Sequence, residues 1–510
     1  MHIKNNNSVR HNIMANFFGW GWSSLISLGF IPFFIKFIGV EAYGLIGIFG
    51  LLTALLSALD LGLSSTLSRQ LSRLSVIEGS DQEARDLVRT FEVIYWGVGI
   101  VIGLVVVFLS PLIARHWIHS QSISVDILSA AIILMGLTLA FQWPASLYNG
   151  GLIGLQRQVL LNTVRAIFVT LQYGGVVFVL LFISPSILAF FIWQLFISVI
   201  NTFVLSITLW RSLPGSDLNA RFSKRLLEKN FHFAAGIMGI TILATILTQV
   251  DKIILSKMLP LQFFGYYTLA FSLANILIQL VTPISSALFP RFSQIVAGGE
   301  EENMVSLYHA GCQSIAVMIL PVAVTIAVFS RQILSVWLGD PITVQNTYFL
   351  LILIIIGTAI NALVILPFTL QLAHGWTKLS LLKCTIAVLL LVPLMILLVQ
   401  YYGALGAAMA WIILNLGSFF IEIPIMHQRL LKRETRKWYL FDVAMPMIIT
   451  CAIIFLSRVL MPVDLSRRAE LVWIFVTYLF CLFLLSVTVP AIRWIIRTTF
   501  VRDSHVNYDK

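Results

Sequence analysis

The stretch GVEAYGLIGIFGLLTALLSALDLGLSSTLSR, from Gly39 to Arg69, is apolar enough to cross a membrane but carries one aspartate, Asp60. A carboxylate at membrane depth is costly, so it normally faces a cavity or a polar partner instead of acyl chains. At helical spacing, three hydroxyl residues share its stripe: Thr53, Ser57 and Ser64. The pattern predicts either a carboxylate paired within a helical bundle or, as we favour, a polar-lined cavity between helices.

The composition of the whole chain is that of a membrane protein. Of its 510 residues, 59% are hydrophobic and only 11% are charged, whereas soluble domains are about 25% charged. Apolar runs recur along the chain, each long enough to cross about 30 Å of hydrocarbon as a helix. We count about fourteen such runs. The chain is therefore predicted to be an all-α integral membrane protein with about fourteen transmembrane helices.

The distribution of Lys and Arg predicts the orientation, because positive residues resist translocation. Alternate loops collect the basic residues, among them Arg85, Arg89, Lys224, Arg225, Arg429 and Lys432. This bias predicts cytoplasmic N- and C-termini and an even number of spans. It also accounts for the net charge of +11, together with attraction to anionic lipid, so nucleic acid is not an expected partner.

An internal repeat relates the two halves of the chain. The segment GLQRQVLLN (Gly154–Asn162) aligns with GWTKLSLLK (Gly375–Lys383) at an offset of 221 residues. The same offset places EAYGL (Glu41–Leu45) over QFFGY (Gln262–Tyr266). Because the shift covers six predicted helices, an even number, the repeats are parallel. We therefore predict two six-helix lobes around a central cavity, followed by two extra C-terminal helices.

This repeat divides the chain into four predicted regions. They are an N-lobe at 1–210, a cytoplasmic amphipathic linker at 211–230, a C-lobe at 231–430, and two further spans with a cytoplasmic tail at 431–510. In the linker, apolar residues fall on one side of a helix and basic residues on the other. Such a helix is expected to lie along the membrane interface.

Polar residues at helical spacing on corresponding helices of the two repeats provide candidate substrate-binding residues. These are Asp60, Asn162, Arg165, Lys252, Gln279 and Lys383. Hydrogen bonds between helices would give similar stripes, since membrane bundles use them routinely. Arg165 and Lys383 lie roughly 10–12 Å inside their spans, at about 1.5 Å per residue, which favours an anionic group entering from the cytoplasm. Asp60 and Asp251 are the candidate residues for a coupling ion.

The motifs of enzymes with a soluble catalytic domain are not found in the sequence. No Gly-rich phosphate loop follows a strand, no HExxH occurs, and no predicted extramembrane loop exceeds roughly twenty residues. We therefore predict that the protein is not an enzyme and that it has no catalytic residues, no metal site and no cofactor.

Several segments resemble one family of membrane proteins. They are FIKFIGVEAYGLIGIFG (Phe34–Gly50), LDLGLSSTLSRQLS (Leu59–Ser72), DKIILSKMLPLQFFGYYTLAFSLAN (Asp251–Asn275) and YYGALGAAMAW (Tyr401–Trp411). The pattern is similar to the polysaccharide-transporter branch, the Wzx-like flippases, of the superfamily of multidrug, oligosaccharidyl-lipid and polysaccharide exporters. The resemblance covers most of the chain through about His427.

The resemblance implies a flippase for undecaprenyl-pyrophosphate-linked oligosaccharide in the bacterial inner membrane, serving O-antigen or exopolysaccharide synthesis. A polysaccharide polymerase and chain-length proteins are the further partners it implies. Two alternatives remain: a cation-coupled multidrug exporter of the same superfamily, and a membrane-embedded polysaccharide polymerase or ligase. An exporter of cationic drugs would favour a mainly acidic cavity, whereas the candidates here include more cations. A polymerase or ligase would be expected to have a large outer loop.

Overall fold

The residues that the computed structural model of the protein describes are mainly helical. These are residues 6–489, without positions 59, 61, 76, 78, 216, 217, 300, 377, 463 and 464. Within the helices, the side chains at 6–18, 20, 58, 229–244, 301 and 380 are also outside the description. Apart from an isolated β-bridge between His119 and Pro260, the described residues form helices, turns and loops. The predicted all-α fold is confirmed.

Most of these helices have the length of a membrane span. Among the described residues, twelve are long and apolar enough to cross a bilayer, which makes this a multi-pass membrane protein. The first two predicted spans lie in Asn6–Ala58, where two helical parts meet at a break at Gly39. The seventh lies in Lys224–Met258, where the side chains of 229–244 are outside the description. The predicted number of about fourteen spans therefore stays a prediction.

The chain forms two compact units, and the first is Met1–Gly265. Its helices are α1 (Asn6–Ala58), α2 (Leu63–Leu74), α3 (Asp81–His116), α4 (Val125–Gly154), α5 (Gln158–Phe182), α6 (Ile187–Ser212) and α7 (Lys224–Met258). Helix α8 (Leu261–Ala274) contains the boundary with the next unit. Three of these helices begin after a serine whose hydroxyl accepts a hydrogen bond from a first-turn amide: Ser124, Ser186 and Ser223. These caps satisfy amides that have no partner inside the helix.

The second unit, Tyr266–Lys510, continues with ten α-helices in its described residues. They are α9 (Ile276–Gly298), α10 (Glu301–Val328), α11 (Ser330–Leu338), α12 (Pro341–Ala373), α13 (Lys378–Tyr402), α14 (Ala404–Gly417), α15 (Ile423–Leu430), α16 (Thr435–Lys437), α17 (Met445–Leu460) and α18 (Arg467–Thr488). Two π-helical segments, Ser418–Glu422 and Trp438–Ala444, interrupt this series. Helices α17 and α18 both pack against α10. The C-terminal pair is therefore part of this unit's packing.

Glycines on α4 allow its backbone to approach α2 closely. A Cβ atom at Gly150 would lie 2.5 Å from the carbonyl oxygen of Ser64, and one at Gly154 would lie 2.4 Å from that of Ser68. Small residues commonly allow such close approach between membrane helices. Because Ser146 lies one turn before Gly150 on the same face of α4, this packing brings Ser146 towards the start of α2.

The segment between α6 and α7 differs from the sequence prediction. A helix was predicted across the linker, but its described residues are non-helical from Leu213 to Ser223, and α7 begins at Lys224. Ser223 accepts a hydrogen bond from the backbone N–H of Leu226, which fixes the start of α7 at this point. The side chains of Leu218 and Phe222 are exposed. The apolar side predicted for the linker therefore does not form one face of a helix.

Candidate substrate-binding sites

Asp60 lies in a turn between two helices. The sequence pattern had predicted that it lies inside a continuous helix, and that prediction was wrong. Helix α1 ends at Ala58 and α2 begins at Leu63. Gly62 has a φ of 71°, in the left-handed region that glycine adopts most readily. Asp60 Oδ2 also accepts a hydrogen bond from the backbone N–H of Ser64 at 3.3 Å, which stabilises the first turn of α2. The Asp60 carboxylate is therefore part of the turn that separates α1 from α2.

Four hydrogen bonds hold the Asp60 carboxylate. Oδ1 accepts from the hydroxyl of Tyr95 on α3 and from that of Ser146 on α4, the latter at 3.1 Å. Oδ2 accepts from the hydroxyl of Ser64 at 2.6 Å as well as from its backbone amide. Because an ionised carboxylate offers about four lone-pair positions, these donors fill its capacity. Asp60 therefore joins α2, α3 and α4 at one point.

A cavity of about 270 Å³ lies beside Asp60 within the first unit. Its lining residues are Thr53, Leu56, Ser57, Asp60, Ser64, Leu139, Gln142, Trp143 and Ser146. The full polar stripe predicted from the sequence, Thr53 to Ser64, is therefore found in this lining. The other candidate binding residues do not line it.

Two of the other candidates, Asn162 and Arg165, lie on α5. Asn162 is buried, and its side-chain amide donates to the carbonyl oxygen of Gln158 at 2.9 Å. It packs tightly against α1, since a Cβ atom at Gly19 would lie 2.5 Å from its Oδ1. Arg165 is half-buried and lies one turn further along the same helix. Asn162 thus contacts its own helix and α1, and the substrate-binding roles of Asn162 and Arg165 both stay predictions.

Helix α7 carries the adjacent pair Asp251 and Lys252, both of which are buried. Lys252 Nζ lies 3.9 Å from Asp251 Oδ1 and donates to Gln249 Oε1 at 3.1 Å. An acid and a base that are buried side by side offset part of each other's desolvation. The candidate coupling-ion residue Asp251 is therefore close to a cation of its own helix.

In the second unit, Lys383 on α13 forms an ion pair with Glu422. Lys383 Nζ lies 2.8 Å from Glu422 Oε2, while Gln371 on α12 donates to Glu422 Oε1 at 3.1 Å. Lys383 Nζ also lies 5.8 Å from the ring centre of Phe368. Gln279, the remaining candidate, is half-buried on α9. The structure thus assigns Lys383 a partner that the sequence had not indicated.

A buried glutamate on α3 was missed by the sequence analysis. Glu92 Oε1 accepts from Tyr148 at 2.7 Å and from the indole of Trp210 at 3.2 Å, and its Oε2 pairs with Arg89 at 2.9 Å. Tyr148 and Trp210 are 56 and 118 residues away in the sequence. Local spacing therefore gave no signal of this cluster.

A second missed cluster surrounds His309 on α10. Its Nδ1 is hydrogen bonded to Asp442, in the second π-helical segment, and its Nε2 lies 2.9 Å from Glu434 Oε2. Gln313 also donates to Asp442, at 2.8 Å. The cluster ties α10 to the start of the C-terminal helix pair. Among the described residues, no group of His, Cys, Asp and Glu side chains is arranged to hold a metal ion.

Comparison with known families connects this membrane fold with polysaccharide synthesis. The model of a family described as polysaccharide biosynthesis protein matches residues 34–343, more than half of the chain. The chain belongs to this polysaccharide biosynthesis protein family. It is also 22% identical over 413 residues to a candidate O-antigen transporter of Shigella flexneri, covering 79% of this chain and 94% of that protein.

Solved structures show which fold this member of the polysaccharide biosynthesis family adopts. It is similar to the lipid II flippase MurJ in an inward closed conformation, with a TM-score of 0.72, 16% identity and coverage of 96% of this chain and 99% of MurJ. An inward-facing multidrug transporter of the MATE family, which is part of the MOP superfamily, has a TM-score of 0.66, 13% identity and coverage of 81% and 96%. The fold is therefore that of the MOP transporters.

Proposed function

We propose that the protein is a flippase that moves undecaprenyl-pyrophosphate-linked oligosaccharide from the inner to the outer leaflet of the bacterial inner membrane. One observation carries the proposal: a member of a polysaccharide biosynthesis family consists largely of membrane-length helices in a transporter fold. Moving a lipid-linked sugar between leaflets makes and breaks no covalent bond. A bundle of membrane helices is therefore sufficient for the task.

The similar proteins support the substrate class of this proposal. The Shigella flexneri relative is named for O-antigen, and MurJ is named for lipid II. An O-antigen or exopolysaccharide repeat unit carried on undecaprenyl pyrophosphate combines a sugar chain with a polyprenyl anchor. The product would be used on the outer side by a polysaccharide polymerase and chain-length proteins. Cytoplasmic N- and C-termini, as proposed from the basic loops, fit loading from the cytoplasmic leaflet.

In this proposal, Arg165 in the first unit and Lys383 in the second are each candidate residues for binding the pyrophosphate. Arginine and lysine side chains form strong, charge-assisted hydrogen bonds with phosphate oxygens. Lys383 already lies 2.8 Å from Glu422 Oε2, so substrate binding would exchange or share its partner. Glu422 would keep the hydrogen bond from Gln371 during the exchange. Such an exchange makes the affinity of Lys383 for substrate depend on Glu422.

The coupling ion of the proposed transport cycle is a proton, which would bind at Asp60 or Asp251. The two carboxylates differ in their surroundings. Asp60 accepts four hydrogen bonds from neutral donors, whereas Asp251 lies 3.9 Å from Lys252. A proton on Asp60 would displace one of its donors, and a proton on Asp251 would break an ion pair. Replacing each aspartate by asparagine in turn distinguishes the two candidates. Only the substitution at the coupling residue should remove the dependence of transport on an ion gradient.

Reconstituted transport tests the proposed function. The full chain is placed in proteoliposomes with a fluorescent undecaprenyl-pyrophosphate oligosaccharide, and the label exposed on the outer leaflet is followed by chemical quenching. We expect translocation that protein-free vesicles do not show. Undecaprenyl phosphate without sugar and ethidium serve as comparison substrates. Transport of ethidium with no movement of the lipid-linked sugar would overturn the proposal in favour of a drug exporter.

A further inference from the structure

The cavity beside Asp60 has a chemical character that the fold and the family do not explain. Its wall combines one carboxylate, one carboxamide, four hydroxyl groups and one indole with two leucines, Leu56 and Leu139. Carboxylate, amide and hydroxyl groups beside an aromatic ring can together hydrogen bond to and pack against a small polar ligand. The wall contains no positively charged side chain.

Each of the four hydroxyl groups in the wall already donates its hydrogen to an acceptor within the protein. Thr53 donates to the carbonyl oxygen of Phe49 at 2.8 Å, and Ser57 donates to that of Thr53 at 2.7 Å. Ser64 donates to the Asp60 carboxylate at 2.6 Å, and the hydroxyl of Ser146 is shared between that carboxylate at 3.1 Å and the carbonyl oxygen of Trp143 at 2.9 Å. Because a hydroxyl has one hydrogen and two lone pairs, all four oxygens can still accept. The wall therefore favours a ligand that carries several hydroxyl donors.

Gln142 complements these acceptors with a group that can both donate and accept. Its amide nitrogen donates to Ser198 at 3.1 Å, which leaves a second hydrogen and the carbonyl oxygen. Trp143 packs against Tyr95 with ring centres 6.1 Å apart. Since the Tyr95 hydroxyl donates a hydrogen bond to Asp60, the indole ring of Trp143 and the Asp60 carboxylate are fixed relative to each other.

Size and charge distinguish a sugar from a metal ion. A volume of about 270 Å³ is many times the roughly 10–15 Å³ that one water needs, so the cavity has room for a single sugar ring. A hard cation instead needs six or more oxygens, each within about 2.6 Å. Asp60 already accepts four hydrogen bonds, so its lone pairs are occupied. The geometry thus favours a polyhydroxyl ligand over a bare ion.

We infer that this cavity binds one neutral sugar residue of the transported oligosaccharide and contributes to substrate specificity. The choice of ligand rests on the proposed function, whereas the cavity and its hydrogen-bonding pattern do not. Ser57 and Gln142 contact the sugar. Asp60 is a positioning residue, because it orients the hydroxyls of Ser64 and Ser146 so that their oxygens face the ligand as acceptors.

Saturation-transfer NMR on the purified full-length protein tests the site directly. The probes are D-glucose, D-galactose, N-acetyl-D-glucosamine and L-rhamnose, each titrated alone. We expect saturable binding of at least one sugar, weakened about 2- to 10-fold by Ser57→Ala or Gln142→Ala, as for one neutral hydrogen bond. Ser212→Ala is the matched control, since this serine also donates to a carbonyl of its own helix at 2.7 Å but lies outside the cavity.

Ser57→Ala keeps the test decisive if Gln142→Ala fails to fold. Ser57 is exposed and its hydroxyl donates within its own helix, so alanine is expected to leave the fold intact. Absence of saturable binding for every probe, or equal affinity in wild type and Ser57→Ala, would overturn the sugar site. Competition of the sugar signal by sodium chloride, with potassium chloride as the comparison salt, would instead identify a cation site and also overturn it.

The transport assay separates failure of this site from failure of the proposed function. If wild-type proteoliposomes move no lipid-linked sugar, the proposed function is wrong, whatever the NMR result. If wild type transports and Ser57→Ala transports every repeat unit at the same rate, only the specificity site is wrong. We expect Ser57→Ala to slow the native repeat unit more than a repeat unit with a different sugar.

Discussion

Lys383 and Glu422 form an ion pair in which the base is partly accessible and the acid is buried. Their charged atoms lie 2.8 Å apart, and the side-chain exposures are 27% and 2%. Glu422 ends a π-helical segment, a form that often occurs at functional sites. Because a buried carboxylate needs its cation, the pair contributes to stability as well as to the proposed substrate site.

Replacement of Lys383 by methionine should destabilise the protein by about 3 kcal/mol, because Glu422 is left buried without its cation. Adding Glu422→Gln should restore most of the stability, since the neutral amide needs no counter-charge. Transport should stay impaired in the double variant if Lys383 binds pyrophosphate. Thermal midpoints of the purified variants and proteoliposome transport provide the two measurements. Normal transport in the double variant would contradict the role of Lys383.

Replacement of Arg165 by alanine should abolish transport, whereas Arg165→Lys should keep part of it. Lysine supplies the charge but not the two-pronged geometry of guanidinium. The matched control is Arg157→Ala, which removes an exposed arginine at the start of the same helix. Surface polysaccharide is measured together with the amount of membrane-inserted protein. An equal loss of surface polysaccharide in the Arg157→Ala and Arg165→Ala variants would show that only the general charge on α5 matters.

Asp60→Asn should lower stability by about 2 kcal/mol, because the amide nitrogen of asparagine would face donors that now bond to a carboxylate. Asp60→Leu should be more harmful, since it removes the acceptor of the Tyr95 and Ser64 hydroxyls, whereas Ser146 can still donate to the carbonyl oxygen of Trp143 at 2.9 Å. Asp126→Asn is the control, as Asp126 is an exposed acid in the first turn of α4. The thermal midpoints of the purified wild type, the two Asp60 variants and the Asp126→Asn control measure these differences in stability. An unchanged midpoint for both Asp60 variants would show that the network does not hold the helix break.

Gly39→Ala should destabilise the protein by about 1–3 kcal/mol, because Gly39 has φ 81° and ψ 165° at the break between the two parts of α1, a backbone conformation that is essentially confined to glycine. Space is not the reason, since no atom lies within 4 Å of a Cβ built at this position. Gly29 provides the control: it also has open space, but its backbone is helical. Gly29→Ala should be neutral or stabilising. A similar effect of both changes on the thermal midpoint would contradict the break at Gly39.

The contact between Glu434 and α10 should weaken in acid. Burial alone would raise the pKa of Glu434, but the hydrogen bond from His309 and the charge of Lys437 outweigh it and hold the pKa below its ordinary 4.5. A carboxylate with a lowered pKa stabilises the fold above its unfolded pKa, and this contribution is lost as the pH falls through the folded pKa. The difference in thermal midpoint between wild type and Glu434→Gln should therefore narrow below about pH 4.5. A constant difference would contradict this account.

Several features of the candidate cavity could be predicted from the sequence. A carboxylate within an apolar stretch is costly, so local hydropathy alone indicated that Asp60 needs polar surroundings. Helical spacing also grouped Thr53, Ser57 and Ser64 with it, and all three line the observed cavity. The break between α1 and α2 was missed, because it depends on the positive φ of Gly62 and on a side-chain bond to the backbone of Ser64.

The sequence by itself determined the membrane class and the all-α fold, because in a bilayer every backbone polar group must be satisfied within the chain and apolar runs of sufficient length can only do this as helices. Tertiary structure decided the partners. Tyr95 and Ser146 reach Asp60 across 35 and 86 residues, and Asp442 reaches His309 across 133. Such pairs depend on how glycines and side-chain volumes allow particular helices to approach, as at Gly150, and local hydropathy does not contain that information.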